Sequence, residues 1–560
     1  MSTASSDANG RSALRLTPPA HWATVKFVRL LRRVADGVVR GPTQKRVRFT
    51  YRTDLTLEVR NMGMGNLREE TEVAIIGGGP GGYVAAIRAA DLGKDVIVIE
   101  ERDRLGGVCL IEGCIPSKAL INVVELAETA RAARKMGLTF SDLSMNLDAL
   151  RRWSDSVVDT LTKGVDGLLK RRGVEVLHGR ARFTDNQTLA VEGARSTTVA
   201  FQHCIIATGS DINRLPAGQH LPLWSSAEAL RIPEVPPRLL VVGGGYIGLE
   251  MGLVYAGLGS QVTVAEFFPR LLPGADLDLV DVVVKSCEKR FHQILTESRV
   301  GEIQKGGSGY IVTVEYQGQK QAHEFDQILV AVGRRPNTDK LGLEHTAIRP
   351  DKRGFIEVNP CGRTVEDRIY AIGDVTPGPM LAHKASREGK VAAEVIAKHP
   401  SVFDNRAIPA VVFTDPELAW TGLTERDAAE QGLAVTVGRF PLLASGRART
   451  LGRTEGMVKL ISDPDSGRIL GVGMVGPHVS EMISEGTLAV QLGATVEDIM
   501  TTIHPHPTVS EAIMEAAEVS AGMSVHLHPP KKVEGTARTP VHVHPRKKEG
   551  GCEGCPLENS

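Results

Sequence analysis

Two glycine-rich turns of the same design constrain what this chain can fold into more than any other feature. In the first, Gly77, Gly79 and Gly82 follow the apolar run Val73-Ala74-Ile75-Ile76, and Glu100 closes the next run, Val96-Ile97-Val98-Ile99. In the second, Gly243, Gly245 and Gly248 follow Leu239-Leu240-Val241-Val242, and Glu266 closes Val262-Thr263-Val264-Ala265. The acid follows the third glycine at the same interval both times. Short, continuously apolar runs suit parallel strands covered on both faces. One such glycine pattern is weak evidence. Two, each between a strand and a helix and each answered by an acid, imply two nucleotide-binding βαβ units.

The chemistry of these positions is specific. The first glycine allows the tight turn, the second lets backbone approach a pyrophosphate, and the third permits close helix–strand packing. The helix amides then face the phosphates. Glu100 and Glu266 are placed to accept hydrogen bonds from ribose hydroxyls. At Glu266 the carboxylate would repel a 2′-phosphate, and no arginine follows before Arg270, so NAD is expected rather than NADP. The plainer alternative is a pair of glycine turns without ligand. Further strands end in Ala207-Thr208-Gly209 and in Ala331-Val332-Gly333, each able to return the chain to the sheet edge where a nucleotide lies, and a later one ends in Ile372-Gly373-Asp374, whose acid taken alone can simply cap the turn.

Between the first unit and its next helix stands Gly106-Gly107-Val108-Cys109-Leu110-Ile111-Glu112-Gly113-Cys114-Ile115-Pro116-Ser117-Lys118. Two cysteines at this separation, between glycines, can close a small disulfide loop. A reduced core pair or half of a metal site are the alternatives, and no second cysteine pair lies nearby to complete a zinc site. Cys114 stands just before a helix and near Lys118, and both features favour a thiolate.

At 560 residues the chain has room for three to four domains at ~150 residues each. Its charges balance at 66 against 66, but residues 1–52 hold 11 Lys/Arg and 2 Asp/Glu, leaving an acidic body that is poorly suited to a nucleic-acid backbone. The basic front reads as a loose tail, a targeting helix, or upstream sequence joined to a protein starting at Met62 or Met64. Seven cysteines, an odd number, and no signal-peptide pattern suggest a reducing, cytoplasmic setting. The apolar stretch Leu239–Gly259 contains Glu250 and reads as strand, turn and helix rather than a membrane span.

With its redox segment, its Ala371-Ile372-Gly373-Asp374 and Met380-Leu381-Ala382-His383 segments, and its His504-Pro505-His506-Pro507-Thr508-Val509-Ser510-Glu511 run, the chain resembles the dihydrolipoamide dehydrogenases, within the FAD-dependent pyridine-nucleotide disulfide oxidoreductases. The similarity spans roughly Glu72 to Pro530. It implies an α/β fold of two Rossmann-like nucleotide-binding domains plus a C-terminal α+β dimerisation domain. The divisions expected are an extension (1–70), an FAD domain with the redox pair (71–220), an NAD domain (221–340), a second FAD segment (341–405), an interface domain (406–530) and a Cys/His tail (531–560).

The resemblance also implies roles. A Cys109–Cys114 disulfide would oxidise protein-bound dihydrolipoamide, with Cys109 attacked and Cys114 beside a non-covalent FAD, one per subunit, that delivers hydride to NAD⁺. His506, oriented by Glu511, would be the base. Pro505 and Pro507 keep this stretch extended, so His504 and His506 should point to opposite sides. Thr508 to Glu511 is also a capping-box pattern for a helix over 509–519, and Glu511 can serve both ends. Gly77, Gly79, Gly82, Glu100, Lys118, Ala181, Thr208, Gly209, Asp374, Met380, Leu381, Ala382 and His383 are assigned to FAD. Gly243, Gly245, Gly248, Glu250, Glu266 and Gly333 are assigned to NAD, with Lys118 and Glu250 paired near the flavin.

The implied partners are a second copy of the chain, whose base completes the site, and the lipoyl-bearing subunits of 2-oxoacid dehydrogenase complexes or of glycine cleavage. No nucleic acid, membrane or bound metal is expected. A reading of another class rests on the tail, where His526, His528, His542, His544 and Cys552-Glu553-Gly554-Cys555 offer soft-metal ligands. Ser117 and Glu266 argue against a glutathione-type reductase. Cys204 and Cys287 read as packing residues, and Cys361 has no evident partner.

Overall fold

The computed structural model describes residues 67–527 except Asp142, Arg195 and Ser308. The basic front, with Met62 and Met64, and His528, His542, His544, Cys552 and Cys555 of the tail lie outside the described residues.

The first unit contributes β1 (Leu67–Ile76), β2 (Val96–Glu100), β3 (Glu175–His178), β4 (Arg180–Asp185), β5 (Thr188–Glu192) and β6 (Thr197–Ile206). They form one sheet in the order β3-β2-β1-β6-β5-β4, whose β3-β2-β1-β6 part is parallel. β1 begins at Leu67, inside the segment read as an extension. Leu67–Thr71 pairs with Thr197–Phe201 of β6, so ladder hydrogen bonds order a polar stretch that has no apolar run to announce it. The helix after β1, Pro80–Asp91, starts with proline in its first turn and buries only small residues, Gly81, Gly82, Ala85, Ala86 and Ala89. At Gly82 the reason is steric, since a Cβ would lie 1.9 Å from the Gly77 carbonyl oxygen.

β7 (Ser210–Ile212) leads to the second unit: β8 (Arg238–Val242), β9 (Gln261–Ala265), β10 (Gln293–Leu295), the antiparallel layer β11 (Arg299–Lys305), β12 (Tyr310–Tyr316) and β13 (Gln319–Phe325), then β14 (Gln327–Val330). The parallel sheet runs β10-β9-β8-β14. Its glycine turn repeats the first, with a Cβ on Gly248 falling 2.0 Å from the Gly243 oxygen. The apolar stretch Leu239–Gly259 is thus a strand, a turn and the helix Tyr246–Leu258. One other helical stretch, Gly107–Met136, is long and apolar enough to cross a membrane. Its apolar side packs inward, because Leu120, Ile121 and Val124 share a core with Leu249, Leu253 and Val254 of the second unit.

β15 (Arg334–Pro336) pairs with β7 and returns the chain to the first domain, where β16 (Ile369–Ala371) adds to β6. The last domain is an antiparallel sheet, β17 (Ala410–Val412), β18 (Glu417–Gly422), β19 (Thr436–Pro441), β20 (Met457–Ser462) and β21 (Ile469–Gly476), ordered β17-β18-β21-β20-β19. Helices Val479–Leu492 and Glu511–Ala521 share its core, which makes it α+β.

Lys459, in the middle of β20 and fully buried, fastens the sheet to the second nucleotide unit. Its Nζ lies 2.9 Å from Asp276, 2.5 Å from Asp278 and 2.7 Å from Glu425. The three carboxylates are close enough together to suggest a cation site, and the ammonium fills that place. Lys459→Met leaves buried Asp276 without its counter-charge, while Asp278 and Glu425 keep Arg439, and should cost about 3 kcal/mol of stability, read by denaturant unfolding.

Candidate functional site

The two glycine turns are chemically alike to the level of single hydrogen bonds. Glu100 accepts from the Gly78 amide (Oε2, 2.7 Å) and the Arg102 amide (Oε1, 2.9 Å). Glu266 accepts from the Gly244 amide (Oε2, 2.6 Å) and the Phe268 amide (Oε1, 2.7 Å). Each carboxylate is therefore fixed in place, and each oxygen keeps a lone pair for a ribose hydroxyl. A Cβ on Gly79 would meet nothing closer than 3.7 Å and one on Gly245 nothing within 4 Å, so the backbone there lies open to a phosphate. Both turns fit a dinucleotide. The middle glycines, Gly78 and Gly244, escaped the sequence reading although their amides hold the acids; their signal is the unbroken Gly-Gly-Gly in each turn.

The remaining positions assigned to FAD differ in how they contribute. Asp374 sits in a short turn at the end of β16 and accepts from the Ser210 hydroxyl at 2.5 Å. That turn is braced from below by buried Lys384, whose Nζ reaches Thr376 Oγ1 (2.9 Å), the Gly373 oxygen (3.2 Å) and Glu388 (3.0 Å), while Glu388 accepts from the Gly373 amide (2.7 Å). Met380 and Leu381 lead into the helix Ala382–Ile396, and His383 Nε2 lies 2.8 Å from the Pro409 oxygen. Thr208 donates its hydroxyl to the Asn337 oxygen (2.7 Å), and its carbonyl and that of Gly209 accept from Asn337 (3.2 and 2.9 Å), so this turn is held by Asn337. Gly333 opens the return strand with φ +98°. Ala181 stands apart in β4, its side chain buried with Phe183, Leu189 and Val191.

Cys109 and Cys114 are both thiols here. Cys109 lies in the short helix Gly107–Glu112, and Cys114 is the first residue of the helix Cys114–Ala132, so the helix starts on the cysteine rather than after it. The two side chains are hydrogen-bonded. That bond raises Cys109 and, despite burial, holds Cys114 down to about 7, with the Lys118 ammonium assisting and Glu250 opposing. Its place at a helix start and the Lys118 ammonium both favour the thiolate on Cys114. Lys118 Nζ reaches Glu250 Oε2 at 2.9 Å and lies 4.4 Å from the Phe413 ring centre, and Glu250 Oε1 accepts from the Phe413 amide at 3.0 Å. Tyr246, half exposed at the start of the second-unit helix, feels Cys114, Glu250, Arg334 and Asp374; burial first and then Cys114 push its phenol up to about 12.

The histidine segment divides as its prolines require. His504 is turned inward, its side chain 4% exposed, with Nε2 on Glu485 (2.8 Å) and Nδ1 on the Thr502 oxygen (2.9 Å). His506 is turned outward, 79% exposed, with Nδ1 on Glu511 Oε1 at 2.8 Å. Glu511 serves both ends, because its Oε2 accepts from the Thr508 amide at 2.8 Å. Only half of the capping box forms. Thr508 Oγ1 bonds the Pro505 oxygen and the Ser510 hydroxyl, and the helix starts at Glu511 instead of 509. Against burial, which would raise it, the Thr508 amide and His506 hold the Glu511 carboxyl below its ordinary value. Within one chain no hydrogen bond or ion pair among the described residues joins His506 to the cysteines. Of the tail histidines, His526 is described, and its Nδ1 is taken by buried Glu515 at 2.5 Å.

Removing the ammonium beside Cys114 tests this electrostatic arrangement. In the reduced protein, Lys118→Met should move the Cys114 thiolate midpoint upward from about 7, seen as slower alkylation of Cys114 at neutral pH and recovery of the rate at higher pH.

Comparison with known proteins agrees with this geometry. Residues 71–389 match the family described as pyridine nucleotide-disulphide oxidoreductase, and residues 408–517 match its dimerisation domain. The chain is 46% identical over 478 residues to a dihydrolipoyl dehydrogenase of Haloferax volcanii, covering 83% of this chain and 99% of that one. It is 45% identical to another from Geobacillus stearothermophilus, again over 83% and 99%. The crystal structure of LpdA from Mycobacterium tuberculosis superposes with a TM-score of 0.75 at 28% identity, over 80% of this chain and 99% of that one. From its paired nucleotide turns to its terminal antiparallel sheet, the chain belongs to the pyridine nucleotide-disulphide oxidoreductases.

Proposed function

We propose that the protein is a dihydrolipoyl dehydrogenase, oxidising a protein-bound dihydrolipoyl group to its disulfide with NAD⁺ as final acceptor. The observation that carries the reading is the placement of the cysteine pair: Cys114 opens a helix beside the Lys118–Glu250 ion pair, and Cys109 lies on the short helix just before it. In the oxidised enzyme the pair is a disulfide. A substrate thiolate attacks Cys109 sulfur and displaces Cys114; the second substrate thiol then attacks the mixed disulfide, releasing the cyclic disulfide and leaving Cys109 and Cys114 reduced. The first turn and Asp374 would hold FAD and the second turn NAD⁺, and these groups would together supply the two-electron acceptor for the dithiol.

The chain's own residues do the rest. Glu511 holds Nδ1 of His506, which leaves Nε2 to take the substrate proton. An exposed base remote from the cysteines of its own chain fits a homodimer, in which each subunit lends its His506 to the other, and the dimerisation domain supports that assembly. Lipoyl-bearing subunits of 2-oxoacid dehydrogenase complexes or of glycine cleavage are the proposed partners, and the cytoplasm the proposed compartment on the cysteine count.

Purified protein should reduce NAD⁺ with dihydrolipoamide faster than it oxidises NADPH with glutathione disulfide; the reverse order overturns the substrate assignment. In His506→Gln, dihydrolipoamide turnover should fall by ~10²–10⁴ while NADH oxidation by an artificial electron acceptor persists, since that route needs no thiol proton transfer. Equal loss in both assays would remove His506 from the role of base.

A further inference from the structure

The chain leaves the first nucleotide domain along β7 and comes back along β15, and the two strands pair antiparallel with Arg334 opposite Ile212 and Pro336 opposite Ser210. Backbone contacts close both ends of this ribbon: the Asn337 amide donates to the Gly209 oxygen (2.9 Å), and the Asn213 amide to the Gly333 oxygen (2.9 Å). Inside it lies an arrangement that the ribbon itself does not need. Arg334 donates through Nε to the Ser210 hydroxyl (2.7 Å) and through Nη2 to the Ser210 carbonyl (2.6 Å). The hydroxyl, only 4% exposed as part of Ser210, passes its own proton to Asp374 Oδ2 at 2.5 Å.

The charge pattern makes the relay directional. Arg335, the next residue, pairs ordinarily with Asp339 at the surface. Arg334 has no carboxylate within 4 Å among the described residues, so its charge reaches an acid only through Ser210. A hydroxyl that accepts from a guanidinium has one strong option for its proton, and a hydrogen bond to a carboxylate is stronger than one between neutral groups. Asp374 is thereby locked through Oδ2, and Oδ1 makes no hydrogen bond among the described residues.

We infer that Arg334 is a positioning residue for the flavin nucleotide: through Ser210 it fixes the Asp374 carboxylate so that Oδ1 faces the nucleotide, and it ties that carboxylate to Gly333 of the NAD turn, its neighbour in sequence. The inference rests on the FAD reading of the first unit. It assigns Arg334 and Ser210 no contact with substrate or cofactor.

The test is the rate at which FAD leaves the purified dimer under mild chaotrope, followed by the rise in free-flavin fluorescence, which requires no turnover. Arg334→Met and Ser210→Ala should each release FAD about tenfold faster, the size of one charge-assisted hydrogen bond. The double variant should release it no faster than either single one, because both substitutions cut the same relay. Unchanged release in Ser210→Ala, or effects that multiply in the double variant, overturns the inference. If Arg334→Met does not accumulate as folded dimer, Ser210→Ala decides alone. Wild-type protein that binds no FAD sinks the cofactor reading itself, whereas FAD-bound wild type with unaltered variants sinks only the relay.

Discussion

The ion pair between Lys118 and Glu250 is the contact on which the rest of the arrangement depends. Lys118 comes from the helix that begins with Cys114, and Glu250 from the helix that follows the second glycine turn. Glu250 is 3% exposed, so its charge is tolerable only because the ammonium and the Phe413 amide, at the edge of the third domain, both reach it. One buried carboxylate thus joins three domains. It does so within range of Cys114, where Lys118 favours the thiolate and Glu250 moderates it. Glu250, brought in from another domain, thus tempers a thiolate that Cys109 and Lys118 of the first domain favour.

Much of the fold could be read directly from the chain, for a reason visible at Gly82 and Gly248. At each, a Cβ would come within about 2 Å of a carbonyl oxygen of the same turn. The steric demand is local, so it is written in consecutive residues and repeats wherever the same turn is built. The apolar runs before and after each turn were equally plain, since a strand covered on both faces admits few polar residues. The start of β1 was not plain. Arg68, Glu69 and Glu70 are ordered by pairing with a strand more than a hundred residues away, and no local pattern marks such a partner.

The candidate site divides along the same line. Cys109, Cys114, His506 and Glu511 stand in short segments whose chemistry is legible because the reacting groups are sequence neighbours. Ser210, Arg334 and Lys384 were not singled out. Each acts on a residue brought near by topology: Arg334 and Ser210 meet because β15 returns beside β7, and Lys384 underpins Asp374 from one helical turn inside the next element. Ala181 shows the opposite case, a position taken from resemblance whose side chain packs into the core.

The sequence by itself determined two nucleotide units, a redox cysteine pair and an acid-held histidine, because glycine sterics, strand burial and neighbouring reactive groups are properties of contiguous chain. Only the tertiary structure decided which histidine faces outward and which buried charges hold the domains together. Those outcomes depend on electrostatics between groups far apart in the chain, and distance in space is what folding, and no local pattern, supplies.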